Sequence, residues 1–165
     1  MAVATLTKAQ SAGITLGVVL LIVGFLLIGA WLALAPLYAG FLLLWYFGSV
    51  DVLDAKALPA LAIGAVAGTL TAWLLQAGVA RAGAIGAVPA LTVIVAAIFC
   101  QLLGRLPIAI NRAYMLYVTV MAAPLLQRQE RFDHVLLTIA VATLYFGGAV
   151  MLGRHLMARR RLVTA

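Results

Sequence analysis

Long apolar runs separated by short polar links make up most of the chain. Four of these runs are long enough to cross the ~30 Å hydrocarbon core of a bilayer as helices that rise about 1.5 Å per residue. They cover residues 14–35, 57–78, 84–104 and 134–157. This pattern predicts an all-α polytopic membrane protein.

Two shorter apolar segments lie between the long runs. The first covers residues 36–48, inside the stretch APLYAGFLLLWYFGSVD, and the second covers residues 111–126, NRAYMLYVTVMAAPLL. Each gives a helix of roughly 20–24 Å, which falls short of a full crossing. The chain therefore runs long, short, long, and then long, short, long again.

The repeated order predicts an internal duplication. A shift of 76 residues places Phe41 on Tyr117 and Gly48 on Pro124 without a gap. The two segments match in hydropathy and length more than in identity. Residues 1–80 and 81–165 then form two three-helix halves, each with a short middle helix. If each half crosses the bilayer three times, the second is inverted relative to the first, as in many transporters.

The basic residues favour about six crossings over four. With six crossings and both termini cytoplasmic, eight basic residues lie inside and three outside, as the positive-inside rule requires. With re-entrant short segments the division is six against five. We therefore predict a multi-pass membrane protein with both termini in the cytoplasm. The inner set is Lys8, Lys56, Arg105, Arg112, Arg154, Arg159, Arg160 and Arg161, and the outer set is Arg81, Arg128 and Arg131.

Composition agrees with the membrane class. Hydrophobic residues make up 67% and charged residues 9% of the chain, against about half and a quarter in soluble domains. The net charge of +7 does not indicate nucleic-acid binding, because the basic residues lie at the ends of apolar runs.

The small residues at 33–35 resemble a signal-peptide cleavage site, but the apolar stretch before them is longer than a signal core, so we expect a retained first span.

Motifs for catalysis and for metal binding are missing from the sequence. It has no nucleophile beside a base, no phosphate-binding loop and no H-E-x-x-H pattern. His134 and His155 have no ligand-type spacing, and the single Cys100 lies in an apolar run. We expect neither an enzyme nor a metal or other cofactor.

The two short segments carry most of the groups that can hold a ligand. Short or broken helices at corresponding places in two halves are the best sequence indication of a binding site near the membrane midplane. The alternative for the aromatic residues is an interfacial belt. Arg112 either attracts an anion with the N-terminus of its helix or anchors a cytoplasmic loop. The candidate substrate-binding residues are Tyr38, Trp45, Tyr46, Asn111, Arg112, Tyr114, Tyr117 and Thr119.

All four acidic residues lie in the links that follow the short segments: Asp51, Asp54, Glu130 and Asp133. Asp51 and Asp54 either face a pore mouth or take part in proton coupling. The alternative is a solvated link with local ion pairs, since Lys56 and Arg131 are close by.

The second half resembles a known superfamily in the stretch AYMLYVTVMAAPLLQRQERFDHVLLTIAVATLYFGGAVMLG, residues 113–153. It is similar to the membrane domain of the fusaric-acid-resistance and aromatic-acid-exporter superfamily, where an aromatic-led short helix with a Thr and a closing Pro precedes a link and a Gly-rich span. Met115 stands where a tryptophan is usual in that superfamily. The resemblance implies export of aromatic acids. The corresponding residues here are Tyr114, Thr119, Pro124, Gly147 and Gly148. In size and layout the chain is also similar to an uncharacterised family of small bacterial inner-membrane proteins.

Two functions are carried forward. The first is a channel or secondary transporter for a small organic solute, with its site between the short helices. The second is a non-transporting membrane subunit or assembly factor of a larger complex. We expect a homo-oligomer in the lipid bilayer, because 17 kDa encloses little space. Small-residue faces, among them Gly64 with Gly68, are predicted to bring helices together within the monomer or between subunits.

Overall fold

A computed structural model describes residues 7–51, 53–123, 126 and 131–163, together with their side chains except at positions 9, 10 and 156–163. The fold is all-helical, with 82% helix and no strand in this described part. The helices are α1 (Lys8–Trp31), α2 (Leu37–Ser49), α3 (Leu58–Ala82), α4 (Val88–Leu102), α5 (Arg112–Met121) and α6 (Phe132–Val163), with a 3₁₀ helix at Gly83–Ala87.

The predicted all-α fold is confirmed for the described residues, and three helical stretches in them are long and apolar enough to cross a bilayer. They are Ser11–Trp31, Leu58–Leu102 and Phe132–His155. The helix α2 has 13 residues and α5 has 10, so both predicted short segments are short helices. The number of crossings and the inverted duplication stay predictions.

The second of these stretches contains a sharp reversal. Gly83 adopts a left-handed φ of 58°, which a residue without Cβ does readily. The chain then forms the 3₁₀ helix, and the backbones of Gly78 and Gly86 come into contact. The predicted run 84–104 therefore begins as a 3₁₀ helix, and α4 starts only at Val88. Pro59 and Pro89 lie in the first turns of α3 and α4, where a missing backbone N–H does little harm.

Contacts between helices fix their directions. The helices α3 and α4 are antiparallel, because Gly78 contacts Gly86 and Ala67 packs against the cluster that contains Ala97. The short helix α5 runs parallel to α3, since Asn111 bonds to the Ala60 carbonyl and the backbone of Tyr114 lies by Gly68.

The other three helices complete an alternating order. The start of α2 faces the end of α5 through Tyr38 and Met121, so α2 runs against α5. Phe132, at the start of α6, stacks on Trp73 near the end of α3, with ring centroids 6.4 Å apart. Gly147, later in α6, lies by Leu58, so α6 runs against α3. The end of α1 meets the start of α2 where Gly29 lies by Leu37. Successive helices therefore point in opposite directions from α1 to α6.

These directions collect the described basic side chains at two ends of the bundle. The end that contains the α2–α3 and α4–α5 links, together with the start of α1 and the later part of α6, is called the basic end. It holds Lys8, Lys56, Arg105, Arg112 and Arg154, whereas Arg81 and Arg131 lie at the opposite end. The described basic residues at each end belong to one of the two sets that the sequence assigns to the inner and outer sides. Which side of the membrane each end faces stays a prediction.

The core lies between α2, α3, α5 and α6. Its fully buried large side chains include Leu43, Phe47, Met121 and Ile139. At Gly68 an added Cβ would lie 2.5 Å from the Tyr114 carbonyl oxygen, and at Gly64 it would meet the Asn111 side chain. The predicted close approach at Gly64 and Gly68 is thus a contact within the monomer. The first half of α1 differs, because its residues are exposed and nothing lies within 4 Å of an added Cβ at Gly13 or Gly17.

Candidate functional site: a polar cavity at the basic end

The space between the two short helices is filled by their own side chains. Tyr117 is completely buried, and its hydroxyl donates to the Ala39 carbonyl oxygen at 2.6 Å. Tyr38 and Met121 meet at the other end of the pair, where the Tyr38 hydroxyl lies 3.5 Å from the Met121 Sδ. These two tyrosines are predicted site residues, and here they join α2 to α5. No described cavity lies along the length of the pair.

Asn111 fixes the start of α5. Its Oδ1 accepts from the backbone N–H of Tyr114 at 3.1 Å, which caps the helix. Its Nδ2 donates to the Ala60 carbonyl oxygen of α3 at 2.8 Å and also to the carbonyls of Pro107 and Ile108. Both ends of this amide are therefore engaged by backbone groups, and Asn111 fixes the start of α5 against α3.

The remaining predicted residues are dispersed. Tyr114 is buried, with its hydroxyl 3.2 Å from the Thr71 hydroxyl. The Thr119 hydroxyl donates to the Met115 carbonyl of its own helix. Trp45 is 57% exposed on the outer surface of α2, a position suited to lipid or to the membrane interface. Arg112 is exposed at the start of α5. The structure brings neither Trp45 nor Thr119 to a cavity with the other candidates.

A small cavity of about 90 Å³ lies where α2 ends and where α3 and α5 begin. Tyr46 lines it with 7% of its surface exposed, and its hydroxyl has no hydrogen-bond partner among the described residues. The half-buried carboxylate of Asp51 also lines it without a hydrogen bond or ion pair to any described residue. The full lining is Tyr46, Asp51, Ala57, Ala60, Leu61 and Asn111.

Charges around the cavity divide into paired and unpaired groups. Asp54 accepts from the backbone N–H of Lys56 at 3.1 Å and lies 3.9 Å from an Arg154 nitrogen. Arg154 also donates to the Leu53 carbonyl oxygen at 2.8 Å, which ties α6 to the link. Asp51 has no such partner, and burial together with nearby Asp54 raises its pKa above the ordinary value. The cavity therefore holds a carboxyl group that binds a proton more readily than an exposed aspartate does.

The acidic links of the two halves differ. Asp133 forms an exposed ion pair with Arg131 at 2.8 Å, as expected for a solvated link, whereas Glu130 and Pro124 lie outside the described residues. Sequence reasoning placed Asp51 in a link without placing it in the site. The usable signal was its position two residues after Ser49, where the chain turns from α2 toward α3.

Larger hollows are apolar and open to the outside. One groove of about 600 Å³ lies between α3 and α6. Its only hydroxyl-bearing residue is Thr143, whose Oγ1 donates to the Ile139 carbonyl. Such a surface suits lipid chains or another apolar helix. Within the described residues no group of His, Cys, Asp and Glu can hold a metal ion.

No protein-family model, curated protein or solved structure matches this chain. The likeness to the aromatic-acid exporters therefore stays a prediction from the residues quoted for it.

Proposed function

We propose that this protein is a small channel or secondary transporter of a bacterial inner membrane, and that it recognises its solute in the cavity formed by Tyr46, Asp51 and Asn111. The site is thus at the basic end of the two short helices. The proposal includes six crossings with the basic end in the cytoplasm, and a homo-oligomer surrounded by lipid.

The observation that carries the proposal is a pair of polar groups, at the junction of both short helices, that have no side-chain hydrogen-bond partner among the described residues. Both groups line the cavity, and polar groups in such a position are normally hydrogen-bonded to water or to a ligand. Tyr46 is 7% exposed and Asp51 is half-buried, and neither side chain bonds to a described residue. A solute or water that enters the cavity would supply the missing hydrogen bonds.

Passage beyond the cavity requires the short helices to separate. Tyr117 fills the space between them and bonds to the Ala39 carbonyl. In a transporter this contact would close the route on the side opposite the cavity. Relative movement of α2 and α5 would then expose the site to the other end of the bundle, as in alternating access.

Uptake into proteoliposomes tests the proposal. The purified protein is reconstituted and screened with labelled small amines, carboxylates and neutral solutes against empty liposomes. Tyr46→Phe removes only the unpartnered hydroxyl and should reduce flux several-fold. The matched control is Trp45→Phe on the same helix, where 57% of the side chain is exposed, and it should leave flux unchanged. Equal effects of the two variants would count against the site.

A second candidate is a non-transporting membrane subunit. The packed interior between the short helices favours it, and so does the weak attachment of α1, which has only 11% of its span buried. Pull-down from native membranes distinguishes the two candidates. A stoichiometric partner combined with no flux for any solute would support the subunit and exclude the transporter.

A further inference from the structure

We propose that the cavity at the basic end binds a small monovalent cation with N–H donors, of the ammonium or primary-amine class. This inference deepens the proposed function and rests on the same cavity, but it makes a claim about binding that can be tested without transport.

The hydrogen-bonding groups of the cavity favour a donor-rich ligand. Asp51 offers carboxylate oxygens, which only accept when ionised, and Tyr46 offers a hydroxyl that accepts or donates. The amide of Asn111 is engaged at both ends by backbone groups, so it presents no free donor to an incoming anion. An ammonium group has only donors, and it complements these two side chains.

The charge of the cavity also favours a cation. Among the carboxylates that the structure describes, Asp54 pairs with Arg154 and Asp133 pairs with Arg131. Asp51 is the one without a cationic partner, and it lines the cavity beside a buried tyrosine. A bound ammonium would take the place that an arginine takes at the other two carboxylates. A carboxylate ligand would instead face the charge of Asp51.

Size narrows the class further. The cavity measures about 90 Å³, and a water molecule in the liquid occupies ~30 Å³. The space therefore suits a small ligand such as ammonium or methylammonium. An aromatic acid, which the resemblance to the exporter superfamily implies, would place its carboxylate against the charge of Asp51.

Arg112 provides an independent check on the sign of the ligand. It is exposed at the start of α5, next to Asn111, which lines the cavity. Removing Arg112 takes away a positive charge near the cavity. Arg112→Ala should therefore strengthen the binding of a cation, whereas the anion site considered from the sequence would be weakened.

The experiment measures binding of methylammonium to the purified full chain in detergent. Ligand-dependent thermal stabilisation is followed with methylammonium chloride, with choline chloride at the same ionic strength to separate specific binding from salt effects. We expect Asp51→Asn to weaken binding about tenfold or more, because the amide oxygen still accepts a hydrogen bond but the negative charge that strengthens it is lost. Asp133→Asn is the matched control, since Asp133 forms an exposed ion pair with Arg131 at the opposite end of the bundle, and it should change binding less than about twofold.

Three results overturn the inference: no stabilisation by methylammonium, equal losses in the two Asp variants, or stronger stabilisation by benzoate. If Asp51→Asn does not fold, Tyr46→Phe and Arg112→Ala test the same claim, with opposite expected signs. Methylammonium binding that depends on Asp51 supports the inference even when proteoliposomes show no flux. In that case only the transport proposal fails.

Discussion

The contact of Gly68 in α3 with the backbone of α5 predicts a difference in stability between alanine variants of two glycines. In Gly68→Ala the new Cβ would lie 2.5 Å from the Tyr114 carbonyl oxygen, 2.9 Å from the Val118 nitrogen and 3.1 Å from the Tyr117 Cβ. Two of these atoms are backbone, so α5 has to move away from α3 as a unit. Overpacking of this kind costs about 1–3 kcal/mol. The gain in helix propensity from Gly to Ala offsets up to about 1 kcal/mol of that.

Gly148→Ala is the matched control. Gly148 lies in α6, is exposed, and has no atom within 4 Å of an added Cβ. Only the propensity gain applies there, so the variant should be as stable as the wild type or more stable. We therefore expect Gly68→Ala to unfold about 1–3 kcal/mol more easily than Gly148→Ala.

Unfolding in mixed micelles, followed by circular dichroism as the fraction of denaturing detergent rises, measures this difference. Both variants are compared with the wild type in the same lipid and detergent. If Gly68→Ala proves as stable as Gly148→Ala, then α3 and α5 do not pack at the distance described, and the wall of the candidate site is misplaced.

Three further predictions concern the site and the orientation of the chain. Asn111→Ala removes the cap of α5 and the bond to the Ala60 carbonyl, so it should destabilise the protein by about 1–3 kcal/mol in the same unfolding assay, and Asn111→Asp, which keeps the cap, should lose less. Methylammonium binding should fall as the pH is lowered, because the ionised Asp51 is the binding form. Burial and Asp54 raise its pKa, so the fall should begin at a higher pH than for an ordinary aspartate. Charged neighbours on the surrounding elements are Lys56, Arg112 and Arg154, and a fall that persists in Asp51→Asn would refute the assignment. In a Cys100→Ala background, Lys56→Cys and Arg81→Cys should each react with an impermeant maleimide, but from opposite sides of the membrane. If both cysteines react from the same side, α3 does not cross the membrane, and the alternating order of the helices does not describe the topology.

Much of the fold could be predicted because bilayer crossing leaves strong patterns in a sequence. Apolar length gave the long helices, and Pro36 with the polar link after Ser49 gave the bounds of α2. The limits of α4 were harder to predict. The stretch GAIGA is apolar enough to continue a span, but its glycines allow the backbone to turn back and form a 3₁₀ helix.

The candidate site was predicted only in part. Tyr46 and Asn111 were named from the sequence, and both line the cavity. Hydropathy gives no information on which face of a uniformly apolar helix turns inward, so it could not separate buried Tyr46 from exposed Trp45 one position before it. The role of Asp51 depends on the path of a link, and links are positioned by tertiary contacts such as that between Arg154 and the Leu53 carbonyl.

The contact between Gly78 and Gly86 has a consequence for biogenesis. These residues are close in sequence, and their helices fold back on each other without help from a distant segment. A contact between residues that are close in sequence forms rapidly, and it can form as soon as a short part of the chain has been synthesised. During synthesis, α3 and α4 would pair as a hairpin before α5, the major partner of α3, has left the ribosome. Bulky residues at either glycine would then disrupt this early hairpin in the nascent chain as well as weaken the finished protein.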